Sequence, residues 1–433
     1  MRNYVHVCEG KFSNGLRRVR SRWTPLAACL GLMALASGCT AIPASRSSAG
    51  PTAAAAQPAV AFAPPREVVQ PLPQQAKTSR TLEQAMQSGG LPSSSQAPWL
   101  RPSRPSAAPS QPTAAPPPAL VASIQRLGQQ FNGKVGIAVQ SVDAGWTVSH
   151  NGDHLFPQQS VSKLWVAMAV LDAVDRGKIS LDRDITIKPD DLTLFHQPIA
   201  AMVTSPSGYT TSLRSLLDRA MMQSDNTAND SLLRTVGGPE AVRGYLARRF
   251  IGPDSIRFGP GERLLQSQAA GLTWTQDMSV GRRFYTARAN LPRATRERAL
   301  DRYLTDPPDG ATPLAIVAAL SKLKKGEMLS PTSTSVLLSA MERAKTGPQR
   351  IKAGVPRGWT YVHKTGTGQD LAPRSTGFND VGIMTAPDGR SYAVAVLIGE
   401  TTLSIPQRWE LMQAVSRTVG AMHQPAGQLT SAR

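Results

Sequence analysis

The chain has 433 residues, of which 41% are hydrophobic and 18% charged. That much apolar material can form one large core or two smaller ones, which excludes a wholly disordered chain. The net charge of +19, from 48 basic and 29 acidic residues, favours a generally basic surface, with attraction of nucleic acid, anionic lipid or cell-wall glycan as the alternative. The 35 glycines and 35 prolines indicate that part of the chain is linker rather than core.

Residues 1–39 are typical of an export signal. All three cysteines, Cys8, Cys29 and Cys39, lie there, so no disulfide framework can hold the rest of the chain together. Arginines precede the apolar run 24–36, which is shorter than the roughly 20 residues that span a bilayer. Cys39 follows small residues and resembles the lipidated cysteine of bacterial lipoproteins, which predicts a periplasmic, membrane-anchored protein. Ala36 stands where that signal usually has leucine, so plain secretion stays open.

Residues 40–119 are rich in Pro, Ala and Ser and show no apolar periodicity, which predicts a disordered linker. Residues 120–423 are predicted to form the folded domain, and residues 424–433 a C-terminal tail. The domain has alternating apolar residues near both ends, which predict two strands around Val135 and Val148 and three more later. The later strands are predicted at 359–363, 380–385 and 392–398.

Helical patterns fill the remainder of the domain. Terminal helices are predicted over 120–131 and 406–422, and internal ones over 161–176, 213–222, 239–249, 313–324 and 332–345. Because strands from both ends must pair to hide their edges, we predict a mixed α/β fold of the α+β type. It contains a five-stranded antiparallel sheet flanked by the terminal helices, with an all-helical lobe inserted in the middle.

A possible nucleophile opens the helical lobe. Ser160 begins an apolar helix, and Lys163 lies one turn further along the same face. A serine hydroxyl is a poor nucleophile until a base takes its proton, and a neighbouring amine can help to do so. The helix N-terminus adds positive potential where an alkoxide would form. By itself Ser-x-x-Lys equally describes a helix cap followed by a surface lysine.

Two further motifs make the pattern specific. Ser224-Asp225-Asn226 and Lys364-Thr365-Gly366 follow Ser160-x-x-Lys163 in that order. The three motifs together are the signature of class A β-lactamases and penicillin-binding proteins. Residues 120–423 resemble this family, and the segments 176–182, 326–330 and 346–356 also look like it. The resemblance implies a serine hydrolase that forms an acyl-enzyme.

The resemblance also implies individual roles. Ser160 would be acylated, Lys163 would accept or relay its proton, and Ser224 would pass a proton to the leaving nitrogen. Lys364 would hold its neighbours and the substrate carboxylate electrostatically. The backbone N–H groups of Ser160 and Thr367 would form the oxyanion hole. The other substrate-binding positions that it implies are Asn226, Thr365, Gly366 and Gln266.

A glutamate that activates the hydrolytic water distinguishes the β-lactamases from penicillin-binding proteins in this family. Glu262, followed by Leu265-Gln266, resembles the family's Glu-x-x-Leu-Asn, and Arg257 agrees with its upstream arginine. Gln266 replaces the asparagine that helps to hold the water. Glu297 has similar spacing and is a second candidate, with 267–305 predicted as an insertion. We favour Glu262.

The sequence therefore predicts a class A-like serine β-lactamase that acts on a small-molecule β-lactam as a monomer, without a metal, a cofactor or a nucleic-acid partner. A peptidoglycan D-alanyl-D-alanine peptidase or esterase of the same fold is the first alternative. An inactive, wall-binding lipoprotein is the second. The family uses an arginine for the substrate carboxylate; Arg374 and Arg390 were considered, but neither lies in a recognisable motif.

Overall fold

The computed structural model describes residues 115–423. The predicted export signal with Cys39, residues 40–114 of the predicted linker and the tail 424–433 lie outside the described residues. Within residues 115–423, none of the helices has the length and apolar character needed to cross a membrane. The first helix begins at Pro118, inside the predicted linker, because proline is favoured at the first position of a helix, where its missing N–H is not needed.

Within the described residues, strands lie near both ends of the domain and most of the helices lie between them. The strands are β1 (Gly133–Ser141), β2 (Thr147–His150), β3 (Phe156–Pro157), β4 (Asp184–Ile187), β5 (Tyr209–Ser212), β6 (Gly310–Ala311), β7 (Thr360–Thr367), β8 (Ser375–Thr385) and β9 (Ser391–Thr401). The helices are α1 (Pro118–Gln130), α2 (Lys163–Asp175), α3 (Leu213–Asp218), α4 (Asn226–Thr235), α5 (Gly238–Arg248), α6 (Glu262–Ala270), α7 (Arg283–Asn290), α8 (Arg293–Thr305), α9 (Pro313–Lys324), α10 (Pro331–Glu342) and α11 (Ile405–Ala421).

The predicted five-stranded sheet is confirmed, with the order β2-β1-β9-β8-β7 and antiparallel pairing throughout. Strands from the two ends of the domain meet where Ile137 of β1 pairs with Val396 of β9. Val135, Ile137 and Val139 share a core with the terminal helices α1 and α11, whereas Ala138 faces the core that contains α9. This alternation follows from the two-residue period of a strand. The strand order places β7 at one edge of the sheet.

The helical lobe is built around α2. Residues 163–173 of α2 are all buried, as expected for a helix that is apolar on every side. Helices α4, α5 and α10 pack against it. A helix enclosed in this way has little freedom to shift, so the polar side chains at its N-terminus are held in a fixed position.

The predicted insertion 267–305 continues α6 and forms α7 and α8. Two small apolar clusters hold it, one around Leu265, Leu300 and Tyr303 and another around Leu194 and Phe284. Arg257 closes the base of this long loop in two ways. Its side chain forms an ion pair with Asp306, and its backbone N–H donates to the Gly310 carbonyl at 2.7 Å.

Short elements depart from the prediction. The strand pairs β3–β6 and β4–β5 have two and four residues per strand, too few for an alternating pattern to be recognised. The helix predicted over 213–222 ends at Asp218 and continues as the π-helical turn Arg219–Gln223. Ser224 follows with a φ of 61°, a conformation that is uncommon outside glycine and concentrates at functional sites.

Candidate active site

Ser160 lies on a tight turn rather than in the first turn of α2 as predicted. Residues Gln159–Ser162 form a 3₁₀ turn, and α2 begins at Lys163. Gln159 has a φ of 54°, so the backbone immediately before the serine is in the left-handed region. The turn leaves Ser160 half-buried at the cleft while Lys163 is fully buried beneath it.

The ammonium of Lys163 joins three of the predicted site residues. Its Nζ lies 2.7 Å from Ser160 Oγ, 2.7 Å from Asn226 Oδ1 and 2.7 Å from Glu262 Oε1. An ammonium has three N–H donors, so each has one acceptor here. The three acceptors come from the nucleophile turn, α4 and α6, which are distant in the sequence.

The Asn226 side chain does not cap helix α4. Asp225 caps this helix, accepting from the Ala228 N–H at 3.0 Å. The Asn226 side chain is instead held across the cleft wall, since its Nδ2 donates to the Leu194 carbonyl at 2.9 Å. Its Oδ1 is thereby directed at Lys163.

Ser224 and Lys364 form a second polar pair. Lys364 is fully buried on β7, and its Nζ donates to Ser224 Oγ and to the Thr365 carbonyl, both at 2.9 Å. Burial, and next the nearby charge of Lys163, hold the pKa of the Lys364 amine well below its usual value. A lysine with a lowered pKa exchanges protons more readily near neutral pH, and the Ser224 hydroxyl is its direct partner.

Strand β7 forms the opposite wall of the cleft. Its residue Gly366 lies so close to the nucleophile turn that a Cβ there would meet the Gln158 carbonyl oxygen at 2.4 Å, so a side chain would push the strand away. The Gly368 N–H donates to Gly377 of β8. Because N–H directions alternate along a strand, the Thr367 N–H points away from β8, to the free edge. Thr365 Oγ1 contacts Thr346 Oγ1 at 2.7 Å.

An arginine that the sequence analysis missed lies beside this strand. Arg350 is buried, donating to the Gly366 carbonyl at 2.8 Å and to Thr367 Oγ1 at 2.6 Å. Burial lowers the pKa of its guanidinium to about 10, so it remains a cation at neutral pH. The segment 346–356 was recognised as family-like, and Arg350 lies within it, so that segment was the available signal.

The two arginines considered from the sequence lie elsewhere. Arg374 forms ion pairs with Glu400 at 2.5 Å and Asp301 at 2.8 Å, and Arg390 pairs with Asp388 at 3.0 Å. Neither lines the cleft. Arg350, by contrast, does line the cleft.

The two glutamate candidates have different environments. Glu262 is buried at the start of α6, where its backbone N–H donates to Asp230 Oδ1 at 3.1 Å and its carboxylate contacts Lys163. Glu297 lies on α8 with its side chain 37% exposed, paired with Arg293 on the same helix at 2.8 Å. The structure brings only Glu262, of these two, to the nucleophile.

Two buried aspartates surround this glutamate and the nucleophile turn. Asp230 holds the start of α6, and Asp309 accepts from the Gln159 N–H at 2.8 Å. Burial raises the pKa of each carboxyl to about 6. For Asp230 the adjacent Glu262 charge also contributes to the increase. Neither aspartate was selected from the sequence.

These walls enclose a cleft of about 460 Å³. Phe195 and Tyr285 lie at its rim with ring centroids 5.7 Å apart in an edge-to-face arrangement. Tyr285 and Arg288 come from α7, so the insertion contributes to the site. Between residues 115 and 423 there is no group of three or more His, Cys, Asp and Glu residues arranged to hold a metal ion.

The arrangement is that of a serine hydrolase: a hydroxyl next to a buried amine, a second hydroxyl–amine pair, and an edge strand with backbone donors facing the cleft. A family model described as the β-lactamase enzyme family matches residues 119–422. The chain belongs to this family, and its similarity to class A enzymes places it in that class.

Individual relatives agree with this assignment. β-Lactamase VEB-1 of Pseudomonas aeruginosa is 27% identical over 286 residues, covering 65% of this chain and 83% of the relative. The crystal structure of a β-lactamase from Chitinophaga pinensis has 29% identity and a TM-score of 0.57, covering 70% of this chain and 99% of that one. An ancestral class A β-lactamase has 29% identity and a TM-score of 0.55, covering 70% of this chain and all of that one (100%).

Proposed function

We propose that the protein hydrolyses β-lactams in two steps, through an ester on Ser160. The observation that carries this proposal is the position of Lys163, whose Nζ is 2.7 Å from both Ser160 Oγ and Glu262 Oε1. One amine thus connects the nucleophile with a carboxylate that can act as a general base.

In the acylation step, Lys163 acts as the free amine and takes the proton of the Ser160 hydroxyl as the serine oxygen attacks the lactam carbonyl. The Thr367 N–H, at the free edge of β7, stabilises the developing oxyanion together with the backbone of Ser160. Ser224 Oγ, in contact with Lys364, delivers a proton to the lactam nitrogen as the amide bond breaks. The proton that Lys163 took from Ser160 replaces it, so one proton has moved from Ser160 to the lactam nitrogen and Glu262 stays ionised.

In the deacylation step, Glu262 takes a proton from water as the water attacks the ester, and Ser160 is released. Gln266 lies beside this carboxylate, with its Nε2 at 3.4 Å from Glu262 Oε2. Its amide takes the place of the shorter asparagine of the family, so a water bound by the Glu262 carboxylate can also contact the amide of Gln266. A buried carboxylate in this position favours hydrolysis over a stable acyl-enzyme, and hence a β-lactamase over a peptidase.

The test is turnover by the purified protein. We expect steady-state hydrolysis of nitrocefin and of a panel of penicillins and cephalosporins, with none by Ser160→Ala. A burst of colour equal to the enzyme concentration and no further turnover would instead indicate a penicillin-binding peptidase. If Ser160→Ala kept both hydrolysis and β-lactam labelling, Ser160 would not be the nucleophile.

Arg350 is proposed to attract the carboxylate that β-lactams carry next to the ring. Arg350→Gln removes this cation, and we expect kcat/KM for benzylpenicillin to fall about tenfold, as for loss of one charged hydrogen bond. The methyl ester of the same penicillin lacks the charge, so its kcat/KM should change much less. Arg374→Gln is the control, and its ratio of kcat/KM for the acid to kcat/KM for the methyl ester should equal that of the wild type. An equal loss for acid and ester in Arg350→Gln would contradict the role.

We also propose that the protein is exported and anchored by lipid at Cys39, so that the enzyme works in the periplasm near peptidoglycan. The support is the sequence of residues 1–39 alone. Cells treated with globomycin, which blocks lipoprotein signal cleavage, should accumulate an unprocessed precursor, as should cells expressing Cys39→Ala. Normal maturation under the drug would exclude the lipid anchor and leave secretion by an ordinary signal.

A further inference from the structure

A continuous chain of hydrogen bonds crosses the floor of the cleft. Arg288 Nη1 donates to Gln369 Oε1 at 2.8 Å, and Gln369 Nε2 donates to Gln266 Oε1 at 3.1 Å. Gln266 Nε2 then donates to Gln159 Oε1 at 2.9 Å. The three amides thus follow one another with the same donor-to-acceptor direction.

The far end of the chain is a carboxylate. Gln159 Nε2 donates to the Tyr303 hydroxyl at 2.7 Å, and that hydroxyl donates to Asp309 Oδ1 at 2.9 Å. An arginine side chain can only donate and an ionised carboxylate can only accept. With those two ends, every amide in between has one orientation that satisfies its neighbours.

A second bond strengthens this orientation at its centre. Gln369 Nε2 also donates to the backbone carbonyl of Gln266 at 2.8 Å, a group that can only accept. Reversing the Gln369 amide would therefore place two acceptors against each other there and two donors against each other at Arg288. The direction of Gln369 fixes that of Gln266, whose Nε2 faces Glu262.

We propose that the chain from Arg288 to Asp309 positions the deacylation site, so that the inserted helices α7 and α8 are a working part of the hydrolytic machinery. Arg288, Gln369 and Tyr303 are positioning residues in this view. The inference rests on the proposed role of Glu262. A reversed Gln266 amide would turn its Oε1 towards the Glu262 carboxylate, where two acceptors repel and a water would be displaced.

The same chain supports the residue before the nucleophile. Gln159 is held at its side chain by Gln266 and Tyr303, and at its backbone N–H by Asp309 at 2.8 Å. Its left-handed φ of 54° is strained for a residue other than glycine. Such a conformation persists only when neighbouring groups hold it. Tyr303, from α8, is one of the groups that hold Gln159.

The decisive variant is Gln369→Glu, which keeps the shape of the side chain and its bond from Arg288. A carboxylate cannot donate to Gln266, so the direction of the chain is broken there. We expect the deacylation rate constant to fall about tenfold, the value of one hydrogen bond, while the acylation rate constant stays within about twofold. Stopped-flow kinetics with nitrocefin, combined with quench-flow mass spectrometry of the acyl-enzyme, separates the two rate constants. Gln268→Glu, the same change at an exposed position of α6, should leave both unchanged.

Tyr303→Phe tests the other end, since the ring can keep its packing against Leu265 and Leu300 while the hydroxyl is lost. It too should slow deacylation selectively. Arg288→Met should do the same, whereas Arg283→Met removes an exposed charge from the same helix and should have no effect. Wild-type deacylation in Gln369→Glu and Tyr303→Phe, or equal losses in both steps, would overturn the proposal. A wild-type protein that never deacylates would overturn the proposed function instead.

Discussion

Glu262→Gln should stop the reaction at the acyl-enzyme. The glutamine retains the size of the side chain, but an amide cannot take the proton from the attacking water. We expect kcat for benzylpenicillin to fall by roughly 10²- to 10⁴-fold, the range for loss of a general base. Intact-mass spectrometry a few seconds after mixing should show the protein heavier by one penicillin, and this species should persist for minutes.

Glu297→Gln is the matched control, because Glu297 had a similar sequence spacing and lies in an exposed ion pair with Arg293. It should turn over at the wild-type rate and show no accumulated adduct. The prediction would be wrong if Glu262→Gln turned over normally. If Glu297→Gln alone accumulated the adduct, the base would belong to α8 and the inserted loop would have to rearrange during the reaction.

Lys163→Met should block the reaction one step earlier. Methionine fills much of the same buried space but leaves Ser160 Oγ, Asn226 Oδ1 and Glu262 Oε1 without their shared donor. We expect acylation to slow by about 10³-fold or more, since the hydroxyl loses the amine that takes or relays its proton. Labelling with a fluorescent penicillin, followed over time on a gel, measures this step directly.

Stability has to be followed in the same variant. An unpaired buried carboxylate costs about 3–5 kcal/mol, so Lys163→Met should also melt at a lower temperature than the wild type. Lys178→Met, an exposed lysine just beyond α2, provides the control for loss of one charge. Circular dichroism at the assay temperature must show a folded protein for the labelling result to count. Rapid, stoichiometric labelling of folded Lys163→Met would contradict the assigned role.

These two variants separate the halves of the proposed reaction. Lys163→Met should give neither adduct nor turnover, whereas Glu262→Gln should give adduct without turnover. The difference follows from the position of the two groups: the amine contacts the nucleophile directly, while the carboxylate reaches it only through the amine. If Glu262→Gln also gave no adduct, the carboxylate would be required for acylation as well.

Motifs with local spacing were recognised correctly from the sequence. Ser160 and Lys163 are three positions apart, so any helical or 3₁₀ backbone brings them to one side, and the structure shows their side chains in contact. The strands were predictable because Val135, Ile137 and Val139 alternate, and an exposed sheet edge at either end of the domain would be unfavourable. Residue spacing was sufficient to pair Ser160 with Lys163, and the hydrophobic period was sufficient to predict the strands.

The choice between glutamates depended on the family motif, since Arg257 and Gln266 favoured Glu262. Spacing alone did not separate the two candidates, because Glu262 and Glu297 are each followed by a leucine three positions on. The structure separates them by burial: Glu262 is enclosed against Lys163, whereas the Glu297 side chain is 37% exposed. Arg350 was missed because only the fold brings it to its partners, the Gly366 carbonyl and Thr367 Oγ1.

The sequence by itself determined the class of fold and was sufficient to select Ser160 and Lys163 as the proposed nucleophile and its partner, because these depend on neighbours along the chain and on hydrophobic period. Tertiary structure alone decided that Glu262 reaches Lys163 across 99 positions and that Arg350 contacts Thr367. It also decided that α7 brings Arg288 to the cleft while α8 places Tyr303 against Gln159. Contacts between distant residues depend on how the helices and sheet pack, and packing is set by the shape of the whole core rather than by any one segment.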